Sequence, residues 1–176
     1  MLNGVKKIVS LGSCLEYGKS GEEFEFIPTT APLYPTDHYG ASKAAFTMGL
    51  HSIKQSYKGE FKVLRPFHIY GEDQFEKNFW PQLRKAALIG EDFEMTKGEQ
   101  IRDYLHVSKL ADLILKEVLQ EAKESIFMLK NLGSGDPVFM KDFAQEQWEK
   151  FGAKGILKLG SIPYRYNEIM RYIPKL

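Results

Sequence analysis

The sequence predicts an α/β fold with mostly parallel strand pairing, and three observations lead there. Apolar runs of strand length alternate along the chain with stretches of helical periodicity, as expected where helices cross over between parallel strands. The 176 residues are 43% hydrophobic and 27% charged, with 15 Gly and 8 Pro. That is a globular composition able to bury a core, and the length fits one domain at roughly 150 residues per domain. No internal repeat and no linker divides the chain.

Lys7 to Leu11 is a short apolar run ending in small residues, which reads as a central strand feeding a loop. Cys14 to His38, rich in Gly, Pro and Thr, is a long connection. Loops of this length in compact domains are usually functional. From Tyr39 to about Tyr57 the residues Ala44, Ala45, Met48, Ile53 and Tyr57 recur near helical spacing, giving a helix closed near Gly59. Phe61 to Leu64 is the next strand, stopped at Arg65-Pro66. A helix over Asn78 to Ile89 ends at Gly90, and two strand-like stretches follow, Phe93 to Thr96 and Ile101 to Val107, joined by Lys97-Gly98-Glu99. Ser108 then offers an N-cap to the run Leu110, Leu113, Ile114, Glu117, Val118, the clearest amphipathic helix. Ile126 to Leu132 is a strand, Met140 to Phe151 a helix capped by Gly152, and Ile156 to Leu159 a last strand.

Charge excludes several function classes. Twenty-four basic residues against 23 acidic ones leave a net charge of +1, and the basic residues are scattered, so no footprint for nucleic acid or an anionic membrane is expected. No apolar run approaches the ~20 residues of a membrane span. Lys6-Lys7 ahead of Ile8 to Cys14 looks like a lipoprotein signal, but the apolar stretch is too short and is interrupted by Ser10 and Gly12. A single cysteine, Cys14, excludes an internal disulfide and fits a reducing compartment, so a cytoplasmic location is expected. The four His hold no metal-ligand spacing and one Cys cannot complete a zinc site, so no metal is expected.

The sharpest chemical signal is Tyr39-Gly40-Ala41-Ser42-Lys43, at the start of a helix just after the long loop. Spacing of i to i+4 puts phenol and ammonium on one helix face, one turn apart. A nearby positive charge favours a phenolate. Such a Tyr can act as general base on a sugar hydroxyl or general acid on a ketone. Of nine tyrosines only Tyr39 has a Lys four residues on.

With these residues in view, the chain resembles the extended short-chain dehydrogenase/reductases that act on nucleotide sugars. Ser10 to Gly18 is similar to the family's strand end, where a Ser or Thr stands four residues before a Tyr-Gly pair. Ser13 takes that place, 26 residues before Tyr39. Leu64-Arg65-Pro66-Phe67-His68-Ile69-Tyr70-Gly71 resembles the segment that passes under the nicotinamide and reaches the substrate. Asn78, ahead of Phe79-Trp80-Pro81, is similar to the diphosphate-binding Asn; Gly98 to Val107 resembles the signature whose Arg, here Arg102, pairs with the diphosphate. Pro163-Tyr164-Arg165 and Glu168 resemble a further phosphate-contacting segment. Without that context, the alternative for Arg102 is an ordinary ion pair with Asp103, and His106 and His51 read as packing or surface residues.

The resemblance implies an incomplete Rossmann-like parallel sheet, its C-terminal half, with a small α/β substrate-binding part. Residues 1–72 would form the catalytic half and 73–176 mainly the substrate-binding part. It implies Ser13, Tyr39 and Lys43 as catalytic residues, with Tyr39, Lys43, Pro66 and Phe67 against NAD or NADP. Ser13, His68, Asn78, Arg102 and Arg165 would contact a nucleotide-diphosphate sugar. The family's Gly-rich turn at a helix N-terminus has no counterpart before Ser13, and Gly133-Ser134-Gly135 reads as structural. A complementary N-terminal half, or association through an open sheet edge into a homo-oligomer, is therefore expected. Relatives that remove water carry an acid within two positions after the Ser or Thr; here those are Cys14 and Leu15, which leaves epimerisation or 4-ketoreduction. The alternative is a non-catalytic remnant that binds a nucleotide sugar or a partner subunit.

Overall fold

The structure, a computed structural model, describes residues 4–176; the first three residues of the 1–72 part lie outside them. In chain order the elements begin with β1 (Lys7–Leu11), α1 (His38–Ile53), β2 (Glu60–Pro66), β3 (Ile69–Tyr70) and α2 (Phe79–Ile89). They continue with β4 (Phe93–Met95), β5 (Ile101–Asp103), β6 (Leu105–His106) and α3 (Val107–Leu119). The last are β7 (Phe127–Leu132), β8 (Pro137–Phe139), α4 (Met140–Lys150), β9 (Leu157–Leu159) and β10 (Arg171–Tyr172).

The central sheet is parallel, in the order β1-β2-β7. Its middle strand β2 is buried along nearly its whole length, and its side chains alternate between two covered faces. Phe61 and Val63 pack with Leu50 of α1 on one face. Leu64 and Leu132 pack with Leu110 of α3 on the other. Lys62 also points at α3, where the Glu117 carboxylate takes Lys62 at 2.8 Å and Lys130 at 2.7 Å, so the buried cation is paired. The remaining strands form three small sheets, β10-β5-β8, β3-β6 and β4-β9. Beside β4 and β9, α2 and α4 enclose a second core of Leu83, Ala86, Ala87, Met95, Ala144 and Trp148. The α/β class with a parallel sheet is thus what the sequence predicts.

Several expected boundaries move. β2 runs through Arg65 and Pro66 instead of stopping there, because β7 pairs with it out to Leu132 and Phe67 N–H donates to Leu132 O at 2.9 Å. The Tyr39–Tyr57 helix ends at Ile53 and tightens into a 3₁₀ turn at Lys54–Ser56. Ile101 to Val107 is two strands: β5 pairs with β8 and β10, β6 with β3, and Tyr104 between them stacks on Phe143 at 3.8 Å. The N-cap of α3 is His106, whose ring nitrogen accepts the Ser108 N–H at 3.3 Å. Ser108, expected as the cap, is the second helical residue. No described helix is long and apolar enough to cross a membrane.

Candidate active site

A cleft of about 790 Å³ opens beyond the C-terminal ends of β1 and β2 and is closed by α2, β4, β5 and the segment around residues 162–168. Ser13, Tyr39, Pro66, Phe67, His68, Asn78, Arg102 and Arg165 all line it. A second cavity of about 760 Å³, at the opposite end of the sheet against Tyr57, Gly59 and Lys123, holds none of the predicted residues.

Ser13 follows β1 and is held by a capping box. Its Oγ accepts the Leu15 N–H at 3.2 Å, and its own N–H donates to Glu16 Oε1 at 2.9 Å. Glu16 is buried and in turn takes Nε and Nη2 of Arg65 on Oε2, at 3.0 and 2.8 Å. Gly12 makes room for this, since a Cβ there would stand 2.2 Å from Glu16 Oε1. Arg65 Nη1 continues to the Tyr17 hydroxyl at 3.0 Å, which donates to Asn131 Oδ1 at 2.7 Å.

Asp37 caps α1 by accepting the Gly40 N–H at 2.7 Å. Gly40 lies against the Ser13 turn so closely that a Cβ would meet Leu15 O at 2.4 Å. This contact brings Tyr39, whose side chain is exposed, to the cleft mouth. Lys43 is outside the lining: its ammonium donates to Leu11 O at the end of β1, at 3.0 Å, and stands 5.7 Å from the centre of the Tyr39 ring. Phenol and ammonium therefore share one side of the helix.

Pro66 is half-buried at the end of β2, whereas Phe67 is fully buried against Tyr17 and Tyr172. The Phe67 ring packs into the core and also forms part of the cleft lining. His68 lies edge-on to Tyr104 and Tyr172, each centroid 6.0 Å away, and its Nδ1 is buried without a partner. Burial, reinforced by the Arg102 charge, pulls its pKa down to about 3, so the ring is neutral at physiological pH.

Asn78 is the N-cap of α2, yet its side chain makes no capping bond and is free to donate elsewhere. Arg102 and Asp103 do not pair. As strand neighbours they face opposite ways: Asp103 accepts the Ser134 and Gly135 N–H groups at 2.6 and 2.9 Å, while Arg102 meets Glu168 at 3.3 Å and the Ile169 carbonyl. Burial lowers the Arg102 pKa, partly offset by Tyr104 and Glu168. Glu168 thus holds the arginine at the wall of the cleft. Arg165 is exposed at the rim. His106 caps α3, and His51 lies edge-on to Phe127 at 4.9 Å. Sequence reading gave Glu16, Arg65, Tyr17 and Asn131 no part in the site, although Tyr17 stands in the Tyr-Gly pair and Arg65 in the Leu64 to Gly71 segment.

A profile of the NAD dependent epimerase/dehydratase family matches residues 2–128. The chain is 32% identical over 151 residues to a UDP-glucose 4-epimerase of Lacticaseibacillus casei, covering 74% of this chain and 44% of that protein. It is 25% identical over 186 residues to UDP-arabinose 4-epimerase 1 of Arabidopsis thaliana, covering 93% and 43%. Among solved structures, it superposes with a TM-score of 0.83 and 20% identity on the UDP-N-acetylglucosamine 4-epimerase from Methanobrevibacter ruminantium in complex with UDP-N-acetylmuramic acid, covering 99% of this chain and 55% of that one. With the Thermus thermophilus UDP-glucose 4-epimerase complexed with NAD the TM-score is 0.77 at 22% identity, over 98% and 56%. These structural likenesses show the fold. The chain spans about half the length of the proteins it matches. The profile match covers β1, β2 and the segments that carry Ser13, Tyr39, Asn78 and Arg102: this chain belongs to the NAD dependent epimerase/dehydratase family.

Proposed function

We propose that the chain carries the proton-transfer and nucleotide-sugar-binding residues of an NAD(P)-dependent nucleotide-sugar epimerase or 4-ketoreductase. One observation supports this above the others. A single cleft is lined both by Ser13 and Tyr39, which can exchange a proton with a sugar oxygen, and by Asn78, Arg102 and Arg165, which can bind a diphosphate.

The residues fit the nicotinamide end of a dinucleotide. An exposed phenol and an ammonium sit on one helix side beside the C-terminal ends of parallel strands, where α/β sheets take ligands. Tyr39 and Lys43 would hold the nicotinamide ribose and Pro66 would pack on the ring. When bound, NAD(P) supplies the hydride acceptor and donor. Tyr39 takes the proton from a sugar hydroxyl, or returns one to a ketone. Ser13 Oγ already accepts from Leu15, so its O–H is left to donate to the same sugar oxygen. Arg102 and Asn78 hold the diphosphate, and that remote binding fixes the reacting carbon in place.

Dehydration lacks its acid. The Cys14 thiol is pushed up to about 12 by burial and stays protonated, Leu15 is apolar, and Glu16 is committed to Arg65. A second reading, binding without turnover, is favoured by one feature. Within Gly133-Ser134-Gly135, the nearest thing to a pyrophosphate cradle among the described residues, the Ser134 and Gly135 amides are spent on Asp103.

Two measurements decide between these. Titration with reduced nicotinamide, followed by fluorescence, should give saturable binding for the catalytic reading; a flat titration leaves binding without turnover. In a preparation that turns over, Tyr39→Phe should abolish turnover and change nucleotide-sugar affinity by less than about twofold. Retained activity would overturn the assignment of Tyr39.

A further inference from the structure

We propose that the buried Glu16–Arg65 pair is a positioning device that aims the Ser13 hydroxyl at the sugar. This rests on reading the cleft as a nucleotide-sugar site. Both side chains are at most 1% exposed, and both partners sit beneath the cleft floor without lining it. A fully buried ion pair of this kind is weak support for stability, because desolvation offsets the attraction and apolar replacements of similar volume are often as stable. What this pair does hold is specific. Glu16 Oε1 takes the Ser13 N–H, Oε2 takes two donors of Arg65, and the third guanidinium arm bonds the Tyr17 hydroxyl. Tyr17 then reaches Asn131 of β7, whose amide donates to Ile27 O at 2.8 Å. The turn bearing Ser13 is thereby tied to β2, to β7 and to the loop behind it. Because the capping box also presents Leu15 N–H to Ser13 Oγ, that contact occupies one lone pair and leaves the serine proton the remaining directions, away from the turn.

The test compares the affinity of the full chain for UDP and for UDP-glucose by calorimetry, alongside melting temperature. In the wild type UDP-glucose should bind more tightly than UDP. Glu16→Met with Arg65→Met removes both charges together, so no buried charge is left unpaired. Because it still leaves the Ser13 N–H without its acceptor, its melting temperature is compared with that of Glu16→Gln and should be the higher of the two. It should leave UDP affinity within about twofold and reduce the UDP-glucose advantage about 3- to 10-fold, the worth of one hydrogen bond. Glu16→Gln keeps an acceptor for the Ser13 N–H but strands Arg65, so it should melt lower and keep the advantage. A purely structural pair predicts the reverse, with the advantage following stability in every variant. That outcome, or a wild type that binds both ligands equally, overturns the positioning role alone. A wild type that binds neither ligand overturns the nucleotide-sugar reading and this one with it. If Glu16→Gln does not fold, the double variant still decides.

Discussion

His68 and Arg102 are the side chains whose surroundings make the sharpest demands. His68 stays neutral because its ring is buried and faces the Arg102 charge, which lowers its pKa from 6.5 to about 3. Between those values the unfolded chain takes up a proton that the native chain refuses. Native stability is therefore complete above about pH 6.5 and declines as pH falls toward 3. The His68 ring resonances should stay flat from about pH 8 to 4, and His68→Gln should flatten that part of the stability curve; a midpoint near pH 6.5 would refute the burial effect. Arg102→Ala should weaken UDP binding about tenfold or more, as loss of a charge-assisted bidentate contact does, and calorimetry checks it. Unchanged affinity would remove Arg102 from the diphosphate site. The Tyr39–Lys43 pair was legible in sequence because four residues in a helix are neighbours in space. Glu16 and Arg65 were not, since 49 residues separate them. Nor did adjacency reveal the partner of Arg102, because consecutive strand residues point to opposite faces.

Among the secondary-structure elements, long periodic ones were legible and short ones were not. α2, α3 and β7 stand close to where apolar spacing puts them, whereas β3, β8 and β10 are two or three residues long and exist only through their pairing partners. The stop expected at Arg65-Pro66 failed because β7 continues to pair, and the Ser108 cap failed because an imidazole nitrogen two residues earlier takes the amide. The loop after β7 depends on one carboxylate. Asp103→Ala should leave the Ser134 and Gly135 amides without their protein acceptor and destabilise the fold by about 1–3 kcal/mol, the value of charge-assisted bonds lost from a partly buried site. Urea unfolding measures the loss, and faster hydrogen exchange at those two amides locates it. Unchanged exchange would mean that the loop is held by something else.

For the molecule as a whole, the central sheet leaves β1 at its edge among the described residues, paired on one side only. Leu11 and Val5 beside it are 42% and 43% exposed. A parallel strand open on one side is a template for further pairing. We expect the purified chain to self-associate in sedimentation and to bind a hydrophobic dye, and Leu11→Lys to reduce both. A monodisperse monomer that ignores the dye would contradict this.

Alternating periodicity was enough to establish the α/β class, and contiguous motifs were enough to single out Ser13, Tyr39, Asn78 and Arg102, which line one cleft, because those signals lie within a few residues of one another. Folding decided which charges meet. Glu16 pairs with Arg65, Glu168 with Arg102, and Asp103 with the Ser134 and Gly135 amides. Glu16, Arg65 and Asp103 are removed from water, and each takes the partner that the packed chain brings within reach.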